Sequence, residues 1–315
     1  MEADVGRIQR AVWEGRVPAV ITLARDELTT LEQPRELYLM LPRQGYLPYA
    51  ATREVYDHFG AHAPPCPGEV WFEASGVPLR WTVPIGVLFD LHAPTSAAER
   101  LLPWRLVAHF SNFPAAAVLR GGGARDMTAV AAHYMNALKQ STYLRCGSTQ
   151  PVMSLSTDAQ RTLQRSIEAG RYADYVAVQA QLSPPQSMTN ERRRKARVAV
   201  RIHRDAGAWL QPALSALHDD GHARSLASVL SCALPGEFGG CEAEAEAEAA
   251  TRTVLIHGVP APLRAPIDWL CAACAHPDGF LHVVLHARAP TAARAAGGAA
   301  AQGAAGPDHG VEAGC

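Results

Sequence analysis

The chain has 315 residues, 48% of them apolar and 19% charged, with a formal net charge of −1. That length accommodates two or three small domains with real cores, and the composition excludes a disordered chain. The near-zero charge removes any overall electrostatic bias toward nucleic acid. No apolar run approaches the roughly 20 residues needed to span a bilayer. The polar N-terminus MEADVGRIQR carries no apolar leader, so the expected setting is cytoplasmic, or peripheral on a membrane surface. Seven cysteines, an odd number without framework spacing, fit a reducing compartment.

In chain order, residues 4–14 read as a short helix. VPAVITLA (17–24) and ELYLMLP (36–42) are apolar runs of strand length. LPYAATREVYDHFG (47–60) places Leu47, Val55, Tyr56 and Phe59 on helical spacing and stops at Gly60. EVWFEA (69–74) and VPLRWTV (77–83) return to strand character around a Ser75-Gly76 turn. PIGVLFDLH offers Pro84 as a first helical residue with Ile85, Leu88 and Phe89 on one face, and PWRLVAHF (103–110) is a closing strand. Strand, strand, helix, strand, strand, short helix, strand is the β-grasp order of ubiquitin-like domains.

After Gly121-Gly122-Gly123 the chain turns helical. Helices are expected over about 125–144, over 156–170 with Ser156 or Thr157 as N-cap and Gly170 as stop, and over 171–182 before Pro184-Pro185. A second mixed unit follows. RVAVRIH (197–203), RTVLIHG (252–258) and GFLHVVLHA (279–287) read as strands, RSLASVLSCAL (224–234) and LRAPIDWLCAACA (263–275) as helices, and WLQPALSAL as the hairpin partner of the first strand. EAEAEAEA (242–249) and the Ala/Gly-rich end (288–315) are low-complexity stretches expected to be disordered or weakly helical and to bury no core. The expected fold is α+β, with two ubiquitin-like β-grasp domains flanking a helix-rich domain and no obvious cleft. Its boundaries are 1–112 (with the N-terminal helix), 113–185 (with the Gly linker), 186–288 (with an acidic insert at 237–250) and a disordered tail at 289–315.

Of the 29 Lys plus Arg residues only two are lysines, Lys139 and Lys195. A lysine amine attacks a carbonyl carbon, whereas a guanidinium stays protonated and is a poor nucleophile. Lys139 lies on a helix whose buried face is expected to be Met127, Val130, Ala131, Tyr134, Leu138 and Ser141. It points about 100° from the centre of that face, at the border of core and water. From this stretch alone the ordinary reading stands first: a lysine whose stem covers apolar surface.

Motifs of catalysis are few. Neither lysine sits in a GxxxxGK[ST] frame, and there is no GxSxG or HExxH. His257 and His282 fall within strand patterns, where structural roles are expected. Cys271-Ala-Ala-Cys274 lacks the second pair of a zinc site and lies toward a helix end, so it reads as small residues packing a helix against a sheet. No cofactor or metal is expected. Arg192, Arg193, Arg194 and Lys195 form a basic run that is either a solvated lead-in to the next strand or a contact for anionic headgroups, at about 1 kcal/mol per basic residue.

Ordered motifs along the chain carry a resemblance. They are VWEGRVPAVITL (12–23), LYLMLPRQGYL (37–47), EVWFE (69–73), PLRWTVPIGVLFDL (78–91), LPWRLVAHF (102–110), AAHYMNALK (131–139), VLIHGVPAPL (254–263) and WLCAACAHPDGFLHV (269–283). In these the chain resembles the autophagy-related protein 5 family. The segments 140–182 and 205–250 follow the family pattern less closely, and the acidic insert is no part of it.

The resemblance implies two ubiquitin-like domains with a helix-rich domain between them. It also implies a role in autophagosome formation as a non-catalytic acceptor. The ubiquitin-like modifier autophagy-related protein 12 would be joined by an isopeptide bond to Lys139. The conjugate would bind a helix of autophagy-related protein 16 in a groove between domains. Acting ligase-like through the lipidation carrier enzyme, it would promote lipidation of autophagy-related protein 8 on the phagophore, at the preautophagosomal structure. The alternative is a non-covalent scaffold that holds the modifier and the partner helix without conjugation.

Overall fold

The computed structural model describes residues 2–65, 69–92, 102–121, 126–182, 197–204, 209–248 and 252–287. Helix α1 (Glu2–Glu14) leads into the first sheet, built from β1 (Arg16–Leu23), β2 (Leu37–Pro42), β3 (Trp71–Ala74), β4 (Val77–Pro78) and β5 (Trp104–His109) in the order β2-β1-β5-β3-β4. Alternation in β1 sends Val17, Ala19, Ile21 and Leu23 into the core. There they meet Leu47, Ala51, Val55 and Phe59, the inward face of α2 (Leu47–Phe59), and residues of α3 (Ile85–His92). β1 and β5 are parallel, with Ile21 opposite Leu106, and α2 and α3 both contribute to the one core beneath them.

Two local expectations change here. The run 77–83 keeps only Val77 and Pro78 as a strand, with the Leu79 amide still donating to the Phe72 carbonyl at 2.8 Å, because Trp81 leaves the sheet and donates its indole N–H to the Leu119 carbonyl at 2.6 Å. α2 ends at Gly60 with φ −60°, so that glycine is not a left-handed cap.

The helical unit comprises α4 (Thr128–Cys146), α5 (Gln150–Met153), α6 (Thr157–Glu168) and α7 (Tyr172–Leu182). The short α5, started by Pro151, is additional to the expected helices. Ser156 caps α6 by accepting the Ala159 amide at 3.1 Å, and Gly170, at φ 66°, lets the Arg171 amide return to the Ser166 carbonyl at 2.8 Å. Trp13 of α1 stacks on Tyr175 of α7 at 4.7 Å and ties the first unit to this one.

The second sheet, β6 (Val200–Arg204), β7 (Arg252–Ile256), β8 (Val259–Pro260) and β9 (Leu281–Ala287), runs β6-β9-β7-β8 with β6 and β9 parallel. It repeats the first sheet without a continuous β2 equivalent. Residues 209–217 hold that edge through isolated bridges, Ile202 to Leu210 and Arg197 to Ser215. Pro212 between them has no amide to donate and interrupts a ladder. Helices α8 (Leu226–Ala233), α9 (Pro235–Phe238) and α11 (Ile267–Cys274) cover one face. His257 sits in the turn after β7 with φ 53° rather than in a strand, and its Nε2–H donates to the Cys274 carbonyl at 2.6 Å.

The acidic insert is the clearest correction. Glu242–Glu248 form a helix, α10, and Ala245 is 1% exposed inside the core of the second unit. An i,i+2 charge pattern buries nothing by itself. It is the preceding Phe238 and the cation Arg264, which clasps Glu246 with two hydrogen bonds at 2.8 and 2.9 Å, that bring the helix down. Ala245→Asp therefore introduces an unpaired carboxylate into a core and is expected to cost about 2–3 kcal/mol, read as a lower thermal midpoint. A midpoint unchanged from wild type would mean that α10 does not pack there in solution. The C-terminal tail expected to be disordered lies outside the described residues.

Candidate functional site

Helix α4 is the element on which the three units meet. Its faces divide by register. Val130, Tyr134 and Leu138 pack in the helical core, while Ala137 joins Ala199 and Phe280 of the second unit. Ser141 reaches the same unit by donating to the Asp278 carbonyl at 2.8 Å, and Tyr134 donates to the Pro277 carbonyl at 3.2 Å. The close approach requires Gly279, at φ 80°, because a Cβ there would collide with the Ser141 hydroxyl. Met127 and Ala131 are only half-buried, so the buried face is Val130, Tyr134, Ala137, Leu138, Ser141 and Thr142.

Lys139 is half-buried at the border that its helical spacing predicts. Among the described residues no carboxylate pairs with it, in contrast with Arg171 of the same helical unit, which meets Asp174 at 2.9 Å. The exposed Asn136 and Tyr143 lie one turn to either side on the same flank. The basic run Arg192, Arg193, Arg194 and Lys195 lies outside the described residues.

A cleft of about 360 Å³, contrary to the expectation of none, opens beside α4 where α1, α7, α11 and the loop after α11 converge. Val5, Leu138, Leu182, Ala272 and Pro277 form its apolar lining, and Gln9, Gln179, Arg145, Arg197 and Asp268 its polar one. Leu138 and Arg145, seven residues apart, are on one face of α4, and Lys139 is rotated by about 100° from it. The groove and the amine therefore occupy different flanks of one helix.

The cleft was legible in part. On α11 the residues Ile267, Leu270 and Ala273 are buried against the sheet, and Asp268, Cys271, Ala272 and Ala275 recur at helical spacing on the opposite face, all lining the cleft. The small residues of this face therefore leave space for something else, besides letting the helix pack. Burial pushes the Cys271 thiol up to about 12, which disfavours the thiolate needed for redox chemistry or metal binding. Its partner in sequence, Cys274, is likewise raised by burial.

Behind the groove lies a buried polar network. Asp278 accepts the Phe280 amide at 2.9 Å and contacts His282 Nε2 at 3.0 Å, and its carboxylate is 3.6 Å from Arg201. His282 Nδ1 meets His203 Nε2 at 2.9 Å. Burial raises the Asp278 carboxyl, but His282 and Arg201 together leave it below the usual carboxylate range.

Three family models match: Autophagy protein ATG5, UblA domain, over residues 12–110; its alpha-helical bundle region over 127–185; and its UblB domain over 197–285. Autophagy protein 5 of Aspergillus fumigatus is 28% identical across 90% of this chain and 96% of its own length. Autophagy protein 5 of Oryza sativa subsp. japonica is 35% identical across 55% of this chain and 43% of its own. The crystal structure of Kluyveromyces marxianus Atg5 superposes with a TM-score of 0.69 over 89% of this chain and 99% of that one, at 21% identity, and so shares the fold.

Proposed function

The chain belongs to the autophagy protein 5 family, and from that premise we propose that it is a non-catalytic conjugation acceptor with a helix-binding groove. Lys139 accepts autophagy-related protein 12 through an isopeptide bond, and the groove beside α4 receives a helix of autophagy-related protein 16. The conjugate recruits the carrier enzyme that lipidates autophagy-related protein 8, on the phagophore membrane at the preautophagosomal structure. Among the described residues no helix is long and apolar enough to cross a membrane, and the contact proposed with that membrane is peripheral.

The observation that carries the proposal is the division of α4, with a cleft along one flank and on another an amine that no carboxylate among the described residues pairs with. A covalent modifier and a bound helix can then be held at once. The cleft lies within the roughly 300–1,000 Å³ typical of ligand sites, and its apolar floor with Arg145, Arg197 and Asp268 as the charged lining suits an amphipathic helix. Chemically, the amine attacks the carbonyl carbon of the modifier's C-terminal thioester. The C–N bond forms as the C–S bond breaks, the thiol of the carrier departs, and the amine gives up a proton. A lysine amine is mostly protonated at neutral pH, so the carrier must supply proximity and help remove that proton.

The groove half is tested by titrating a labelled peptide of the partner's N-terminal helix into the full chain. Ala272→Arg, at an exposed position on the groove wall, is expected to weaken binding at least tenfold, or about 1.4 kcal/mol. Binding indifferent to that change would place the helix elsewhere.

A further inference from the structure

Five imidazoles are gathered where the three units meet, and conjugation uses none of them. His203 and His282 touch as described; His276 lies with its ring 4.6 Å from both His257 and His282; His133 of α4 contacts Tyr46 and Trp81 and meets the Thr82 carbonyl at 2.9 Å. His203, His276 and His282 are each 2% exposed, and the only carboxylate among the described residues bonded to them is Asp278.

The hydrogen bonding allows one proton per contact. If His282 donates from Nε2 to Asp278, its neutral Nδ1 accepts from His203; if His282 is charged, it donates from both nitrogens and His203 accepts. A second proton sets N–H against N–H. The surrounding charges offer no relief. Arg201 already holds Asp278, and Arg43 holds Asp90 from the first unit. Arg80 acts on His203, and Arg43 on both His257 and His276. Tyr46, Tyr134 and Tyr175 face Asp278 as neutral phenols raised by burial. Arg145 approaches Gly279 from α4, Cys271 and Cys274 of α11 stay protonated, and on the outer side His92 and His286 add further imidazoles near Arg80 and Asp90.

We infer that this network is an acid-triggered latch: proton uptake by its imidazoles releases the 276–282 segment from α4 and dismantles the floor of the groove. The same loop supplies Tyr134 and Ser141 with their carbonyl partners and supplies His276, Pro277 and Gly279 to the cleft, so joint and groove open together. The latch is a property of this chain alone, whatever occupies the groove.

The direction follows from burial. It lowers His203 and His276 well below the ordinary histidine value and His257 to about 4, with their cationic neighbours adding to the shift. His133 is also lowered by burial, partly offset by its bond to Thr82. Once opened, each returns to about 6.5. Protons are therefore bound by the open state and not by the closed one, and the closed state loses stability as pH falls below about 6.5. Between pH 7.5 and 5.5 the opening equilibrium should grow by about tenfold for each of His203, His257 and His276, or up to about a thousandfold.

Hydrogen exchange of the full chain, corrected for the intrinsic pH dependence of exchange, tests this. Segments 134–144 and 276–284 are expected to lose at least thirtyfold in protection (~30, allowing for partial coupling) over that pH range, with β1 and β5 protection retained. His276→Phe, which keeps an aromatic ring in place, should cut the pH effect about tenfold. Equal protection at both pH values, or an unaltered pH effect in the variant, would overturn the latch. If the variant does not fold, imidazole carbon–proton signals of the wild type decide the matter. Buried imidazoles that titrate together with the exposed ones would refute it, and signals unchanged down to opening would support it.

Discussion

Lys139→Arg is expected to abolish the covalent adduct completely. In a reconstituted mixture of chain, modifier, activating enzyme and carrier enzyme, the wild type should give a shifted band on a denaturing gel and the variant none. The substitution keeps charge and most of the aliphatic stem, so a half-buried position that only covered apolar surface would tolerate it within about 0.5 kcal/mol. What it removes is nucleophilicity, because a guanidinium does not lose its proton at any relevant pH. Two controls sharpen the result. Lys195→Arg should conjugate normally, since it changes the only other lysine. Groove binding by Lys139→Arg should equal wild type, because Leu138 and Arg145 line the cleft and Lys139 does not. A shift that survives Lys139→Arg would refute the assignment, and a wild type with no shift would favour the non-covalent scaffold.

The second large effect is on stability. Asp278→Ala is expected to cost about 3–5 kcal/mol at pH 7.5, because it leaves Arg201 buried without its anion. The loss is compounded locally: the Phe280 amide loses its acceptor at 2.9 Å and His282 loses its partner at 3.0 Å. In scanning calorimetry this should appear as a drop of roughly 10 °C in the transition that includes the second unit. Asp278→Asn keeps an oxygen for the Phe280 amide and should fall between the two. Because the folded carboxyl is held below its usual value, this contribution is present above the unfolded value near 3.9 and is lost only as pH falls through the lower folded one. It is therefore constant over the range in which the imidazole latch acts, and the two effects separate by pH. A variant melting within about 2 °C of wild type would show that the buried pair does not hold the joint.

Most elements were legible because their signals are local. Alternating Val17, Ala19, Ile21 and Leu23 specify a strand whatever surrounds them, and Ser156 with Gly170 bounds a helix by its own backbone chemistry. The misreadings have tertiary causes. Trp81 looked like a strand residue, and a carbonyl from another segment, Leu119, draws it out of the sheet. The acidic repeat looked unable to bury anything, and Arg264 with Phe238 supplies from elsewhere what its own pattern lacks. His257 looked like strand, and its bond to Cys274 holds it in a left-handed turn instead.

The two β-grasp units, the helical unit between them and the placement of Lys139 at a core boundary on α4 are already written in the order of the residues. These follow from hydrophobic period, caps and composition, each readable within a dozen residues. That α4 carries a groove on one flank and its amine on another, and that the loop at 276–280 holds it from behind, emerges only when the units pack together. The groove is assembled from residues as far apart in the chain as Val5 and Gly279, and the latch from Arg201, His203, His257 and His282. No local period encodes such meetings. They exist because three cores must share one helix, and close packing there settles which polar groups are buried together and where space is left.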